Sequence, residues 1–262
     1  MNINTTVQTL DHIFNQLNDN GLKDHSLVAS NILDLESILL TNDFNTIEET
    51  KIFDYMKSKH MLSLFQRAYE LFETNLEIDF AKYIFSKSIS PIKDFTTYLL
   101  YKRFVLLLRN EIKLGNINKQ DKVLFIGSGP IPITAILMYQ FSSAQVDCGE
   151  KNTISADLSK KVIDKLGYTD SIHIINQEGA DIDYAQYSVI LVALLAKPKD
   201  VLLKSIWSKC KSHTRIICRT SDSIREAFYE TTESSLFDKY LPKKKIYARG
   251  DQTISSVLLI KP

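Results

Sequence analysis

A nucleoside-type site is written in two glycines, Gly127 and Gly129, and an acid that follows them, Glu150. The glycines stand in Asp121-Lys-Val-Leu-Phe-Ile-Gly-Ser-Gly-Pro-Ile-Pro-Ile-Thr-Ala-Ile136. Val123 to Ile126 is an apolar run of the length a buried parallel strand needs. Only glycine allows a tight turn directly after it and lets backbone approach a ligand closely. Pro132 suits a first helical turn, where its missing N–H is not needed. The stretch predicts strand, glycine turn and helix, with helix N–H groups aimed at ligand oxygens. A glycine pair alone reads equally well as an ordinary strand-to-helix turn. Two details sharpen it. The third glycine of the dinucleotide fingerprint is absent and Pro130 removes a donor, so a pyrophosphate would be held poorly. Glu150 ends the next predicted strand roughly 20 residues on, where ribose hydroxyls lie in this kind of site. A nucleoside without a pyrophosphate fits both, and S-adenosylmethionine is the commonest. Gly127, Ser128, Gly129, Pro130 and Glu150 would hold it, with Ala193 at the end of the fourth predicted strand. Glu178, after the third strand, stands where adenine-contacting acids lie in such folds, or is a loop charge.

Glu73, Glu77, Phe80 and Ile84 fall on one line of a helix. That line borders the apolar stripe, where a carboxylate is more desolvated than at the surface and takes up a proton more readily. The alternative is a solvated helix edge. The five histidines are scattered without ligand spacing, so no metal site is expected. No Ser-His-Asp or Cys-His set stands out.

The elements that carry these residues change character along the chain. Val7, Leu10, Ile13, Phe14 and Leu17 repeat at helical spacing, as do Leu27, Val28, Ile32, Leu35, Ile38 and Leu39. Thr46 with Glu49 predicts a capping box opening a third helix. Leu62, Phe65, Tyr69, Phe72, Leu76, Phe80 and Tyr83 predict one long helix, broken at Ser88-Ile-Ser-Pro91. Another helix is expected from about Asp94 to Ile112, ending near Gly115. After Asn116 strands alternate with helices. Val123–Ile126, Gln145–Cys148, Ile172–Ile175, Val189–Ala193 and Arg215–Cys218 read as strands, and a helix from Ala156 to Leu166 stops at Gly167. Lys245–Ala248 and Ile254–Ile260 read as a terminal hairpin around Arg249-Gly-Asp251. The expected fold is a class I methyltransferase-like Rossmann domain, residues 118–262, preceded by an all-α helical domain, residues 1–117.

The net charge is +1, from 32 basic and 31 acidic residues, and 44% of the chain is hydrophobic. This suggests neither a nucleic-acid nor a membrane surface. Lys243-Lys244-Lys245 is expected to be a solvated loop. Cys148, Cys210 and Cys218 lack metal-type spacing, and the two in strands are expected as buried thiols of a reducing compartment. No apolar segment is long enough for a membrane span, and Met1-Asn-Ile-Asn-Thr-Thr lacks signal-peptide features. A cytoplasmic location is expected, and a homodimer is left open.

Ile126-Gly-Ser-Gly-Pro-Ile-Pro-Ile-Thr-Ala-Ile136 resembles the glycine-proline signature of nicotianamine synthases and their bacterial relatives, which build opine metallophores such as staphylopine. Val189-Ile-Leu-Val-Ala-Leu-Leu195 is similar to that family's fourth strand. Arg219-Thr-Ser-Asp-Ser-Ile-Arg-Glu-Ala-Phe-Tyr229 is similar to its Arg-led segment after the fifth, and Ile254-Ser-Ser-Val-Leu-Leu-Ile260 to its last strand. Glu73-Thr-Asn-Leu-Glu77 resembles its Glu-x-x-Leu-Glu pattern. The resemblance spans about residues 62–262. The family's paired tyrosines are here Asp94-Phe-Thr-Thr-Tyr98, a family glutamate is replaced by Val105, and the ribose acid is Glu150 where relatives often carry Asp.

The resemblance implies transfer of the 3-amino-3-carboxypropyl (aminobutanoyl) group of S-adenosylmethionine to an amine, with release of 5′-methylthioadenosine, in metallophore biosynthesis. The acceptor would be histidine or an aminobutyrate unit derived from S-adenosylmethionine. Glu77 becomes the candidate base and Glu73 a candidate substrate ligand. Tyr98 would hydrogen-bond the amine or a ligand carboxylate, or be a core tyrosine. Arg219 would clamp a ligand carboxylate, or form a structural salt bridge. Asp222 is a further candidate for the substrate. The competing functions are an ordinary small-molecule methyltransferase and a non-catalytic helical module that senses S-adenosylmethionine.

Overall fold

A computed structural model describes residues 3–86, 95–241 and 244–262. The predicted break at Ser88–Pro91, the helix start at Asp94 and Lys243 of the lysine run lie outside these residues. The chain divides into two compact units. Met1–Asn75, Thr220–Thr231 and Tyr247–Ser255 make the first; Leu76–Arg219, Thr232–Ile246 and Ser256–Pro262 make the second. The secondary structure changes character near residue 117, but the units are not divided there.

The first unit is built on α1 (Ile3–Asn20), α2 (His25–Leu40), α3 (Thr46–Ser58) and the opening turns of α4 (Leu62–Ser86). The helical repeats bury one face of each: Leu10, Ile13 and Leu17 of α1, Ile32, Leu35 and Leu39 of α2, Ile52 and Met56 of α3, Phe65 and Tyr69 of α4. Asp24 caps α2 by accepting the N–H groups of Ser26 and Leu27. The capping box of α3 lies one residue earlier than predicted. Asn45 is extended and accepts the N–H groups of Ile47 and Glu48, while Glu48 accepts that of Asn45. Thr46 is already helical, so Asn45 takes the cap and Glu49 is released from that task.

The second unit holds the end of α4, then α5 (Tyr101–Gly115), α6 (Ile133–Ser142), α7 (Thr153–Leu166) and α8 (Lys199–Lys209). Its strands are β1 (Lys122–Ile126), β2 (Gln145–Glu150), β3 (Ile172–Asn176), β4 (Val189–Val192), β5 (Arg215–Thr220), β6 (Lys244–Ile246) and β7 (Ser255–Ile260). They form one sheet in the order β3-β2-β1-β4-β5-β7-β6. β1 to β5 pair in parallel, and β6 pairs antiparallel with β7. All five predicted parallel strands are present, and the described residues before Lys122 contain no strand. The terminal pair forms as expected, with a longer connection than a tight hairpin, since Ile246 faces Ser256. α5 begins at Tyr101, and residues 96–100 ahead of it are turns; Tyr98 and Tyr101 donate to carbonyls three residues back.

The register sets the functional edge. Ile126 lies opposite Gly149 on one side and Val192 on the other. The next residues, Gly127, Glu150 and Ala193, therefore share one carboxyl edge. The order reverses there, between β1 and β4, which is where open parallel sheets bind ligands. β4 is wholly buried, and β1 is buried except at Lys122.

Cys148 and Cys218 are fully buried in β2 and β5, and Cys210 is buried after α8. Burial pushes all three thiols up from their ordinary pKa, which disfavours the thiolate form. Asp147 of β2 is also buried, and it is met by the Tyr187 hydroxyl at 2.8 Å, His173 Nδ1 at 3.0 Å and Lys122 Nζ at 3.0 Å. Burial opposes its ionisation, but those three partners outweigh it and hold the carboxyl below its ordinary value. A depressed carboxyl stabilises the fold above its unfolded pKa, and the gain is lost as pH falls through the folded value. Asp147→Asn is therefore expected to melt at a lower temperature than the native chain near neutral pH. The gap should close below the ordinary carboxyl value of 3.8. Melting curves from about pH 7 to about pH 3 check this; a constant gap would contradict it.

Candidate active site

β1 delivers the chain into a turn with Gly127 at φ +82° and Gly129 at φ +70°, both left-handed. Side chains are excluded there for a second reason. A β-carbon on Gly127 would stand 2.9 Å from that of Ala196 and 3.3 Å from that of Ala193. One on Gly129 would stand 2.6 Å from Glu77 Oε2. Gly127 donates its N–H to the Gly149 carbonyl at 2.8 Å, and Gly129 donates to Glu150 Oε2 at 2.9 Å. Pro132 sits just ahead of the first turn of α6, as the residue before Ile133, and supplies no side-chain cap.

Glu150 is 8% exposed at the end of β2. Its Oε1 accepts the Asn152 N–H at 2.8 Å, and Asn152 in turn caps α7 through the Ser155 N–H. The carboxylate thus fastens the glycine turn to the start of α7. Each oxygen has a second lone pair, which suits it to a ribose diol. Ala193 donates its N–H to the Ile126 carbonyl, and its own carbonyl accepts from Lys199 Nζ. Ser128 is buried with its side chain beside the Cys148 thiol, so the turn offers a ligand its backbone rather than that hydroxyl. Pro130 is buried as well.

Glu77, half-buried on α4, carries its carboxylate over Gly129. The structure brings together Glu77, Gly127, Gly129, Glu150 and Ala193. Tyr98 is buried in an aromatic cluster, its ring 5.0 Å from that of Phe80, three residues beyond Glu77. Glu178 is exposed and lies 3.8 Å from Lys151. Glu73 and Asp222 belong to the first unit, each half-buried.

Arg219 is not presented to a ligand. It is 3% exposed and donates through Nε and Nη2 to the two oxygens of Glu111, each at 2.9 Å. Nη2 also reaches Thr134 Oγ1 at 3.2 Å, and the guanidinium lies 5.4 Å from the Phe125 ring centroid. Ser256 donates to Glu111 at 2.7 Å. The salt-bridge alternative holds, because a fully buried carboxylate on α5 needed the charge. Sequence reasoning passed over Glu111. Its signal was a lone acid in a helix apolar on most sides. Ala196 and Lys199 had no signal beyond their place after the fourth strand.

Among the described residues, no group of three or more His, Cys, Asp and Glu is placed to hold a metal ion. No described helix is long and apolar enough to cross a membrane.

A helical region followed by this sheet, with a glycine turn at the order reversal and an acid ending β2, defines the class I methyltransferase-like Rossmann architecture. The chain belongs to the nicotianamine synthase family: the model described as "Nicotianamine synthase protein" matches residues 2–261. Nicotianamine synthase 2 of Arabidopsis thaliana is 27% identical over 281 aligned residues, covering 98% of this chain and 84% of that protein. L-histidine 2-aminobutanoyltransferase of Yersinia pestis is 25% identical over 150 residues, 57% of this chain and 56% of that protein, so the chain matches little more than half of that enzyme's length. The crystal structure of MtNAS in complex with MTA and tNA superposes with a TM-score of 0.89 at 27% identity, over 97% of both chains. A Glu-to-Gln mutant of MtNAS, in complex with S-adenosylmethionine, gives 0.88 over the same share.

The buried pair sets a testable energy. Removing one partner strands a charge in the core, at a cost of about 3–5 kcal/mol. Glu111→Ala should lose that much in denaturant unfolding, and pairing Glu111→Leu with Arg219→Met should recover most of it. A loss under about 1 kcal/mol in Glu111→Ala would show the pair to be solvated, as surface pairs are.

Proposed function

We propose that this protein transfers the 3-amino-3-carboxypropyl group of S-adenosylmethionine to a small amine and releases 5′-methylthioadenosine. The observation that carries the reading is the Glu77 carboxylate set over Gly129, in a turn fastened by Glu150. In this reading Glu150 would hold a ribose, and Glu77, over the turn, would meet a nucleophile. Family membership over nearly the whole chain supports it, as does the likeness to MtNAS, solved with S-adenosylmethionine and with MTA and tNA.

The reaction asks little of the protein beyond placement. The acceptor's nitrogen lone pair forms a bond to the carbon beside the sulfonium as the C–S bond breaks. The electron pair leaves on sulfur as a neutral thioether, so no acid is needed at the leaving group. The amine must first lose a proton, which Glu77 accepts. Gly127 and Gly129 keep the turn free of side chains for the nucleoside, and Glu150 would take its ribose hydroxyls. Tyr98 backs the stretch of α4 that carries Glu77. Glu73 and Asp222 remain candidates for holding the acceptor. The acceptor is an amino-acid-type amine: histidine, by likeness to the Yersinia pestis enzyme, or an aminobutyrate unit from a second donor. The product would be a nicotianamine-like or opine metallophore precursor.

Incubation with S-adenosylmethionine and L- or D-histidine, followed by mass spectrometry, should yield methylthioadenosine. S-adenosylhomocysteine would instead make this a methyltransferase, and no turnover with any amino acid would leave a sensing module. Glu77→Gln should lower kcat roughly 10²- to 10⁴-fold while leaving S-adenosylmethionine affinity close to native. Full activity in that variant would remove Glu77 as the base. Gly129→Ala should displace the same carboxylate and lower kcat on the order of 100-fold, while unchanged kinetics would show that the carboxylate needs no such seat.

A further inference from the structure

The first unit has a cleft of its own, of about 380 Å³, of whose lining the transferase reading uses only Asp222. The end of α2, the loop after it, Glu49 of α3, residues 222–225 and the segment 247–255 line it. Its charges are unevenly matched. Arg225 is held rigidly, with Nε donating to the Gln252 carbonyl at 2.8 Å and Nη2 to the Gly250 carbonyl at 2.9 Å. Its Nη1 lies 3.8 Å from Glu49 Oε1, beyond hydrogen-bond range. Glu49 is turned toward Ser223, whose hydroxyl it accepts at 3.0 Å. Ser223 holds a left-handed φ of +55°, a strained state for a serine. Burial lowers the Arg225 pKa despite the neighbouring Glu49 and Asp222.

Two more charged groups line the cleft from different segments. Asp43 and Arg249 are exposed, and neither side chain has a hydrogen-bond or ion-pair partner among the described residues. The ring of Tyr247, 58% exposed, stands at the same wall. A plain anion would meet three carboxylates here, and a plain cation two guanidinium groups. A molecule carrying both charges meets neither problem.

We infer that this cleft binds a free α-amino acid, its carboxylate at Arg225 and Arg249 and its ammonium at Asp43 and Asp222. Three carboxylates against two guanidinium groups leave one negative charge, so a basic side chain is preferred over an acidic one. The inference shares only Asp222 with the transferase reading, involves neither Glu77 nor the glycine turn, and is read by binding alone.

Titration calorimetry on the full chain with L-lysine, L-glutamate and cadaverine tests it. L-lysine should bind saturably, L-glutamate about tenfold or more weakly, and cadaverine, which lacks the carboxylate, not measurably. Arg249→Ala and Asp43→Asn should each weaken L-lysine about tenfold. Both side chains are exposed, so neither change threatens folding. Glu77→Gln should leave L-lysine binding as it was. Absence of L-lysine binding overturns the inference. So does binding that ignores both cleft substitutions, or binding that is lost in Glu77→Gln.

Discussion

Two β-carbons that are not there organise the candidate active site. The turn after β1 is left-handed at Gly127 and Gly129, and at each position the space a side chain would fill is already taken. Alanines from the loop after β4 press on the first, and the carboxylate of Glu77 on the second. The backbone can then come within hydrogen-bond reach of Glu150, the last residue of β2. Three stretches far apart in the sequence therefore meet at one short turn. A methyl group at either glycine would push on two constraints together, the backbone conformation and the neighbour seated against it.

The second organising contact is electrostatic and out of reach of solvent. Glu111 and Arg219 are both buried and meet through two parallel hydrogen bonds, with Ser256 and Thr134 adding a third and a fourth. This contact joins α5, α6, β5 and β7 at one point. Such a pair adds little net stability over apolar residues of the same shape, but it punishes any arrangement that separates its members. It selects one packing among those that apolar contacts alone would permit.

Much of this was legible in the chain. The parallel strands were readable because each is a short apolar run with turn residues after it, and buried strands need that pattern. The glycine turn and Glu150 were readable because the first demands a residue type and the second a spacing. Arg219 was not. A strand-end arginine looks the same whether it faces a ligand or a buried acid, and its partner Glu111 is 108 residues away. The capping box slipped by one residue because Asn45 and Thr46 are both good caps, with a glutamate three residues after each. The turns at 96–100 were not foreseen, because an apolar, aromatic stretch reads as helix whether or not its N–H groups find partners four residues back. Arg219 ends in the sheet's core, and Asp222, three residues on, beside a cleft of the helical unit.

Cys148 on β2 and Cys218 on β5 sit at zero exposure, with two strands between them in the sheet, and Cys210 is nearly as covered. The sulfur atoms of Cys148 and Cys218 cannot meet a reagent unless strands part. The speed at which an alkylating dye labels this chain would therefore time the opening of the sheet, without any introduced probe. A ligand seated on the carboxyl edge of β1 and β2 would slow that labelling at Cys148 in proportion to how tightly it binds the closed state.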